Sequence, residues 1–402
     1  MKGQKILHLG KYYYPHMGGV ETYTKTIAEA IVLKGTKVEI IVNNKENSKK
    51  TEIMNGVKVT RLPRYLDFFH APFSKFPFGY IKKSRFDIIH LHVPNPWLEL
   101  NLLLYFLFYG KKEKLAVTYH ADAPHYTIFH KLMDYFRTVF SYPLFRFYSD
   151  AVLPTSSNYI QGSCHLRKLR GKITVVPIGI NIKNLFIDKE NLEKTKQKYR
   201  INAGEKIILF NGRLVKYKGV EYLLDAISIL NRKRNDFRLV VVGDGDLFAE
   251  LTNKAKKSGL QNVIFTGYVD DNTMNSLRAL STIFVLPSIN RGEAFGICII
   301  EAMYFKKPVI TTNIKDSGVT FVNNGLRMQN IDNQDPKGKT GVIVEPKDPQ
   351  QLAGAIDYLL SNPEKAKELG INGYNRVLDN FTEEKFVDKV ESVYRNVLKG
   401  RS

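Results

Sequence analysis

Glu293 and Glu301 stand eight positions apart in the stretch Asn-Arg-Gly-Glu-Ala-Phe-Gly-Ile-Cys-Ile-Ile-Glu-Ala-Met, residues 290–303. On one continuous helix the two carboxylates would lie about 80° apart and roughly 12 Å along the axis. Gly296 between them argues against that. It places Glu293 in a loop and Glu301 on the helix that follows. The backbone N–H groups of Phe295, Gly296 and Ile297 then open at a helix N-terminus, where an anion is favoured. Two hydroxyl acceptors around a phosphate cradle match the needs of a nucleotide-sugar: sugar hydroxyls, a diphosphate and ribose hydroxyls.

A second candidate anion site is Asn211-Gly-Arg-Leu-Val-Lys-Tyr-Lys-Gly. Arg213 can grip a phosphate with two N–H donors, and Lys218 adds a compact charge five residues on. Gly212 and Gly219 keep the turn narrow. Near the N-terminus, Gly18-Gly19 allows close backbone approach and leads into a helix, although tight turns use glycine pairs too. His120 follows an apolar run and taken alone reads as a satisfied structural residue. His90 and His92 alternate along a strand and share one face, but no third ligand near them in sequence would complete a zinc site. Asp244-Gly-Asp246 has the spacing of a divalent-cation pair; a helix cap is the simpler reading, since Leu247 begins a helical pattern. Asp270-Asp271 reads as another cap. No metal is expected.

The elements that position these residues are short Ile- and Val-rich runs alternating with helical patterns. The first series is Lys5–Leu9, Lys37–Val42, Val57–Leu62, Phe86–Leu91, Leu115–Tyr119, Ala151–Pro154 and Ile173–Val176. The second is Lys206–Phe210, Phe237–Val242, Val263–Thr266, Thr282–Leu286, Pro308–Thr311 and Gly341–Val344. Runs apolar on both sides suit parallel sheets covered by helices on both faces. Two successive series predict an α/β protein of two doubly wound domains. The boundary falls at Pro177-Ile-Gly-Ile-Asn, giving domains of 1–180 and 181–382, and a last helix is expected at about 383–399.

A chain of 402 residues exceeds what one core supports, and 44% hydrophobic with 25% charged residues is ordinary globular composition. The apolar run from Trp97 to Tyr109 is too short to span a bilayer and reads as a core helix. Two cysteines without metal-ligand spacing and no secretory leader suggest a reduced, cytoplasmic setting. Net charge is +21, and residues 1–180 carry 26 Lys/Arg against 12 Asp/Glu, two thirds of the excess. An anionic partner for the first half follows: membrane surface, phosphorylated lipid or nucleic acid. No nucleic-acid recognition motif accompanies the charge, so nucleic acid is not expected.

Together these segments resemble the retaining glycosyltransferases of family 4, which adopt the GT-B fold of two Rossmann-like domains facing a central cleft. The resemblance covers nearly the whole chain. It rests on Gly18-Gly19-Val20-Glu21, His120 in Thr-Tyr-His-Ala-Asp, Gly212-Arg213 with Lys218-Gly219, Val242-Gly-Asp-Gly, and the Glu-x7-Glu segment after Pro287-Ser288. One departure is Ala121, where many relatives carry glycine or serine, and it bears on sugar choice, not on the fold. The resemblance implies that Arg213 and Lys218 neutralise the leaving diphosphate and that Glu301 accepts from the ribose hydroxyls. It implies that Glu293 holds a donor-sugar hydroxyl, that Phe295 and Gly296 present backbone N–H groups, and that His120 contacts the sugar near its reacting carbon. Gly19 would lie against phosphate or acceptor, and the C-terminal helix would join the first domain. No cofactor or metal ion is implied, the nucleotide-sugar being a substrate. Nor is Glu293 implied to be a nucleophile: same-face attack, with the departing phosphate taking the acceptor proton, is the scheme favoured in the family.

The acceptor belongs to the N-terminal half in such enzymes. Here residues 61–85 interleave Arg61, Arg64, Lys75, Lys82, Lys83 and Arg85 with Phe68, Phe69, Phe73, Phe76, Phe78 and Tyr80. Residues 126–148 add Phe129, Lys131, Tyr135, Phe136, Arg137, Phe140, Tyr142, Phe145 and Arg146. Rings with cations suit an anionic membrane interface. The expectation is therefore a peripheral enzyme acting on a glycan or polyprenyl-linked acceptor, with GDP-mannose the first donor and a UDP-sugar the second. A sugar-nucleotide epimerase and a non-catalytic nucleotide-sugar sensor are the alternatives.

Overall fold

The computed structural model describes residues 1–400 apart from 17, 45, 47, 69–70 and 123–137. Two compact units form, one from Met1–Gly179 with Glu383–Ser402 and the other from Ile180–Thr382.

Unit 1 is built on β1 (Lys5–Leu9), β2 (Lys37–Asn43), β3 (Lys50–Met54), β4 (Val57–Leu62), β5 (Leu66–Phe68), β6 (Ala71–Phe73), β7 (Ile88–Val93), β8 (Lys114–Tyr119) and β9 (Ala151–Pro154). Seven of them form one sheet in the order β3-β4-β2-β1-β7-β8-β9, parallel except for β3. The order turns back on itself between β1 and β7, the switch point of a doubly wound sheet. Apolar runs bury both faces, and every residue of β7 and β9 is buried. The edge strand β3, Lys-Thr-Glu-Ile-Met, buries none of its residues and joins β4 through Asn55-Gly56, both at positive φ, a two-residue hairpin turn. The run Ile173–Val176 does not become a strand. It touches β9 by a bridge from Ile173 to Val152, and Pro177, with no N–H, halts the ladder there.

The Gly19–Leu33 helix and the Glu383–Leu398 helix both belong to this unit. Phe386, Val387, Val390, Val393, Tyr394 and Val397 of the last helix are buried. Each such burial stabilises by about 1.5–3 kcal/mol. Lys34 fixes the register by pairing with Asp388 and Glu391, both at 2.9 Å. The Trp97–Tyr109 run lies in a helix, Pro96–Tyr109, opened by an Asn95 cap and Pro96. No helix among the described residues is long and apolar enough to cross a membrane.

Unit 2 contains β10 (Lys206–Asn211), β11 (Phe237–Val242), β12 (Val263–Gly267), β13 (Ile283–Leu286), β14 (Val309–Thr312), β15 (Leu326–Arg327) and β16 (Gly341–Val344). They form one parallel sheet ordered β12-β11-β10-β13-β14-β16-β15. The order reverses between β10 and β13. The loops leaving the C-terminal ends of these two strands therefore flank the crevice in which open α/β sheets bind ligands. Those loops hold Arg213, Lys218, Glu293 and the helix entry at Gly296.

Candidate active site

The glycines between Asn211 and Gly296 shape the unit 2 site. Gly219 has φ +66, and a Cβ there would meet the Pro287 carbonyl oxygen at 2.2 Å. The β10 loop therefore lies directly on the β13 loop, with the Ile289 N–H donating to the Tyr217 carbonyl. A Cβ on Gly243 would meet the Gly212 carbonyl at 2.1 Å. Asp244 is not the helix cap expected of it: the helix starts at Phe248 with no side-chain cap. Its carboxylate accepts from the Gly245 N–H, and its carbonyl accepts from Leu214 N–H. Gly-Asp-Gly thus serves to brace the Arg213 loop. Asp270 does cap its helix, accepting from Thr273.

Lys218 is buried, and its ammonium donates to Glu293 Oε2 at 2.5 Å. Ser288 Oγ donates to the same oxygen at 3.0 Å. The Lys218 chain passes over Gly212, where a Cβ would lie 3.5 Å from Nζ. Burial works against its charge, but the Glu293 carboxylate outweighs it and holds Lys218 above the usual lysine range. Arg213 differs: its side chain is exposed and forms no ion pair among the described residues. Asn211, at the tip of β10, keeps a buried Oδ1 without a hydrogen bond.

Gly296, at φ +85, is the N-cap of the helix Ile297–Tyr304, so Glu293 is in the loop and Glu301 on the helix. The N–H groups of Phe295, Gly296 and Ile297 donate to no acceptor among the described residues. Phe295 is buried against Phe321 and Phe381. Glu301 accepts from Arg278, which also donates to Asn275 at 3.0 Å. Burial raises the Glu301 carboxyl, and the Arg278 guanidinium opposes that rise. The sequence offered one signal for Arg278, a cation on the half-buried helix Asp271–Leu280; the structure buries it and leaves its Nε unpartnered. Cys298 is pushed up to about 12 by burial, and it feels Lys218, Glu293, Glu301 and Arg278 together. Both ion pairs thus act electrostatically on the same thiol, which lies between Glu293 and Glu301 in sequence.

In unit 1, the Gly18-Gly19 pair opens the Gly19–Leu33 helix, with Gly18 extended at the cap. His120 follows β8, its N–H bonded to the Val93 carbonyl. It does not stand alone. Its Nε2 lies 3.1 Å from His92 Nδ1, and His92 Nε2 lies 3.0 Å from His8 Nδ1. Tyr394 joins His8, at 3.5 Å, to His90 Nδ1, and His90 Nε2 meets Thr118 Oγ1 at 2.6 Å. Sheet register explains the gathering: β1 pairs His8 with His90, and β7 pairs His92 with Thr118. His8 supplies the third ligand that the sequence did not reveal, the nearest nitrogens of His8, His90 and His92 lying within 4.8 Å of one another. All six ring nitrogens of these three already have hydrogen-bond partners, so neutral imidazoles are satisfied by protons. Burial pushes His8 and His120 down to about 3. It also holds His90 and His92 well below the usual range, with help from neighbouring imidazoles.

The aromatic-basic stretches divide. Phe76 and Phe145 are core, and Arg61 is buried with Glu52. Phe69, Phe129, Lys131, Tyr135, Phe136 and Arg137 lie outside the described residues, as does the side chain of Phe68. Tyr80 is exposed beside Lys58, and two further rings, Phe108 at the end of the Pro96–Tyr109 helix and Phe147, are exposed as well. Stacking of Phe106 on Tyr148 brings those two segments side by side.

Two Rossmann-like sheets, each with its functional loops at the C-terminal ends of the strands, define the GT-B class of glycosyltransferases. Family models agree: "Glycosyltransferase Family 4" matches residues 17–184 and "Glycosyl transferases group 1" matches residues 191–376. The chain belongs to glycosyltransferase family 4. It is 28% identical over 401 residues to O-antigen chain mannosyltransferase C of Escherichia coli, covering 99% of this chain and 100% of that one. It is 29% identical to D-rhamnosyltransferase WbpZ of Pseudomonas aeruginosa, covering 94% and 92%. Among solved structures, sucrose-phosphate synthase of Thermosynechococcus elongatus superposes with a TM-score of 0.77 at 22% identity, covering 98% and 99%.

Proposed function

We propose that this glycosyltransferase moves a hexose from a nucleotide-diphosphate sugar to a hydroxyl of a growing cell-surface glycan, with retention at the anomeric carbon. The observation that carries this reading is the grouping at the β10/β13 switch point. There a charged, buried lysine and an open helix N-terminus accompany two carboxylates, each steadied by its own cation. GDP-mannose is the first donor on the likeness to the O-antigen mannosyltransferase, and a UDP-sugar the second.

In this reading Lys218, Arg213 and the N–H groups of Phe295, Gly296 and Ile297 hold the diphosphate. Glu301 accepts from the ribose hydroxyls, Glu293 from a sugar hydroxyl, and His120 meets the sugar near its reacting carbon. Both bonds to Glu293 fall on Oε2, which leaves Oε1 for the sugar. The bond from the anomeric carbon to the diphosphate oxygen breaks. The acceptor oxygen bonds that carbon on the same face, and its proton passes to the departing phosphate. Negative charge grows on the diphosphate as this happens, and fixed cations there favour the transition state over the ground state. These cations take the place of a metal ion, so chelator leaves the rate unchanged.

The test is incubation with a panel of GDP- and UDP-sugars and lipid-linked glycans, following nucleoside diphosphate release and the anomeric configuration of the product by NMR. Release only with acceptor, and an α product from an α donor, support the reading; donor consumption without acceptor points to an epimerase. A peripheral attachment of unit 1 to anionic membrane is part of the same reading. Phe108 and Phe147 are exposed beside Lys111, Lys112 and Arg146, and rings next to cations suit that interface. Salt-sensitive flotation with anionic vesicles, lost in the Phe108→Ser, Phe147→Ser double variant, is the expected result. Equal flotation of variant and parent removes that part.

A further inference from the structure

The hydrogen bonds of the unit 1 core form one unbroken line: Tyr23, Thr118, His90, Tyr394, His8, His92, His120. Exposure rises along its last members, from 0% at His8 to 2% at His92 and 7% at His120. Every member is neutral, burial having depressed the four imidazoles. A neutral imidazole has one N–H donor and one bare nitrogen. The three histidines meet head to tail, Nδ1 of one against Nε2 of the next. If His8 carries its proton on Nδ1, His92 must accept on Nε2 and donate from Nδ1, and His120 must do likewise. If His120 donates from Nε2, all three carry the proton there instead. Tyr394, with a single proton to place between His8 and His90, passes the same sense to His90. A buried polar group left unpaired loses its hydration with nothing in return, so mixed arrangements are penalised.

We propose that His8 and His92 are positioning residues which, through this chain, fix the tautomer of His120 and so decide whether its Nδ1 donates or accepts a hydrogen bond. The inference rests on the reading of His120 as the residue that meets the sugar. Stacking makes the device rigid as well as directional: the His8 and His92 rings lie 18° apart in plane, and the His92 and His120 rings 26°. Tyr23 packs edge-on against His120, its centroid 4.7 Å away. The rotamer of His120 is held by the same neighbours that set its proton.

Full-length protein labelled with 15N in its histidine side chains tests this. Long-range 1H–15N spectra distinguish the two tautomers and the charged ring. His8, His92 and His120 are expected to be neutral and of one tautomer; a mixture among the three, or a charged ring, overturns the proposal. Kinetics supply the functional half. His8→Phe keeps a stacked ring without nitrogens, and His8→Asn restores a polar atom at the Nδ1 position. His8→Phe is expected to lower kcat roughly tenfold with the donor KM unchanged, the loss of one well-aimed hydrogen bond. His8→Asn should recover most of it. Unchanged kcat in His8→Phe, or equal loss in both variants, overturns the positioning role. The spectra need no turnover: a shared tautomer in a protein that transfers no sugar defeats the proposed function and leaves the chain intact. Mixed tautomers in an active enzyme do the reverse.

Discussion

Lys218 and Glu293 are 75 residues apart, yet they form a buried ion pair at 2.5 Å. Desolvating both ions is costly, so the pair is weak ground for stability, while removing one partner strands a buried charge at about 3–5 kcal/mol. Lys218→Ala should therefore lower kcat about a hundredfold or more and also lower the melting temperature. Adding Glu293→Gln should restore most of the melting temperature and none of the activity. A double variant as unstable as Lys218→Ala would mean that the lysine stabilises by packing alone. Glu301 is predicted to act in donor binding, so Glu301→Gln should raise the donor KM several-fold more than it lowers kcat. Equal effects on both would move it into the chemical step. The sequence displayed Glu293, Gly296 and Glu301 through their spacing, which is local. It hid Arg278 and the Lys218–Glu293 pairing, because which distant side chains meet is decided by sheet order.

The apolar strands of both sheets were legible because a strand buried on both faces must be apolar throughout. The edge strand β3 was not read from Lys-Thr-Glu-Ile-Met, although Asn55-Gly56 after it is the strongest short hairpin signal a sequence carries. The histidine line was missed for a related reason. His8, His90, His92 and His120 lie on three segments, and register alone brings them together. Glycines at the strand tips give the element-scale prediction. Gly219 and Gly204 both have positive φ, at +66 and +80, but a Cβ at Gly204 meets nothing within 4 Å. Gly204→Ala should cost about 1–2 kcal/mol, the left-handed backbone penalty alone. Gly219→Ala should cost more and lower activity, since the β10 loop must leave the Pro287 carbonyl. Equal denaturation midpoints for the two variants would contradict that close approach.

Across the whole molecule, acid sensitivity should be concentrated in unit 1. The four histidines of its hydrogen-bonded line are held neutral by burial when folded, two of them down to about 3. Unfolded, they titrate near 6.5. Below that pH the unfolded chain binds protons that the folded chain refuses, so stability falls as pH drops from about 6.5 toward 3. The slope is up to about 1.4 kcal/mol per pH unit for each histidine. A melting temperature that stays level between pH 7 and pH 5 would contradict this, and His8→Phe should make the decline shallower. The chain's own order has a further result. The Glu383–Leu398 helix covers part of unit 1 and supplies Tyr394 to its core, yet a ribosome makes it only after the whole of unit 2. Unit 2 is complete in sequence before unit 1 is, so during synthesis the first half must wait, its helix-docking face bare, for its closing piece. A message that stops at codon 382 would thus release an intact second half attached to an unfinished first one.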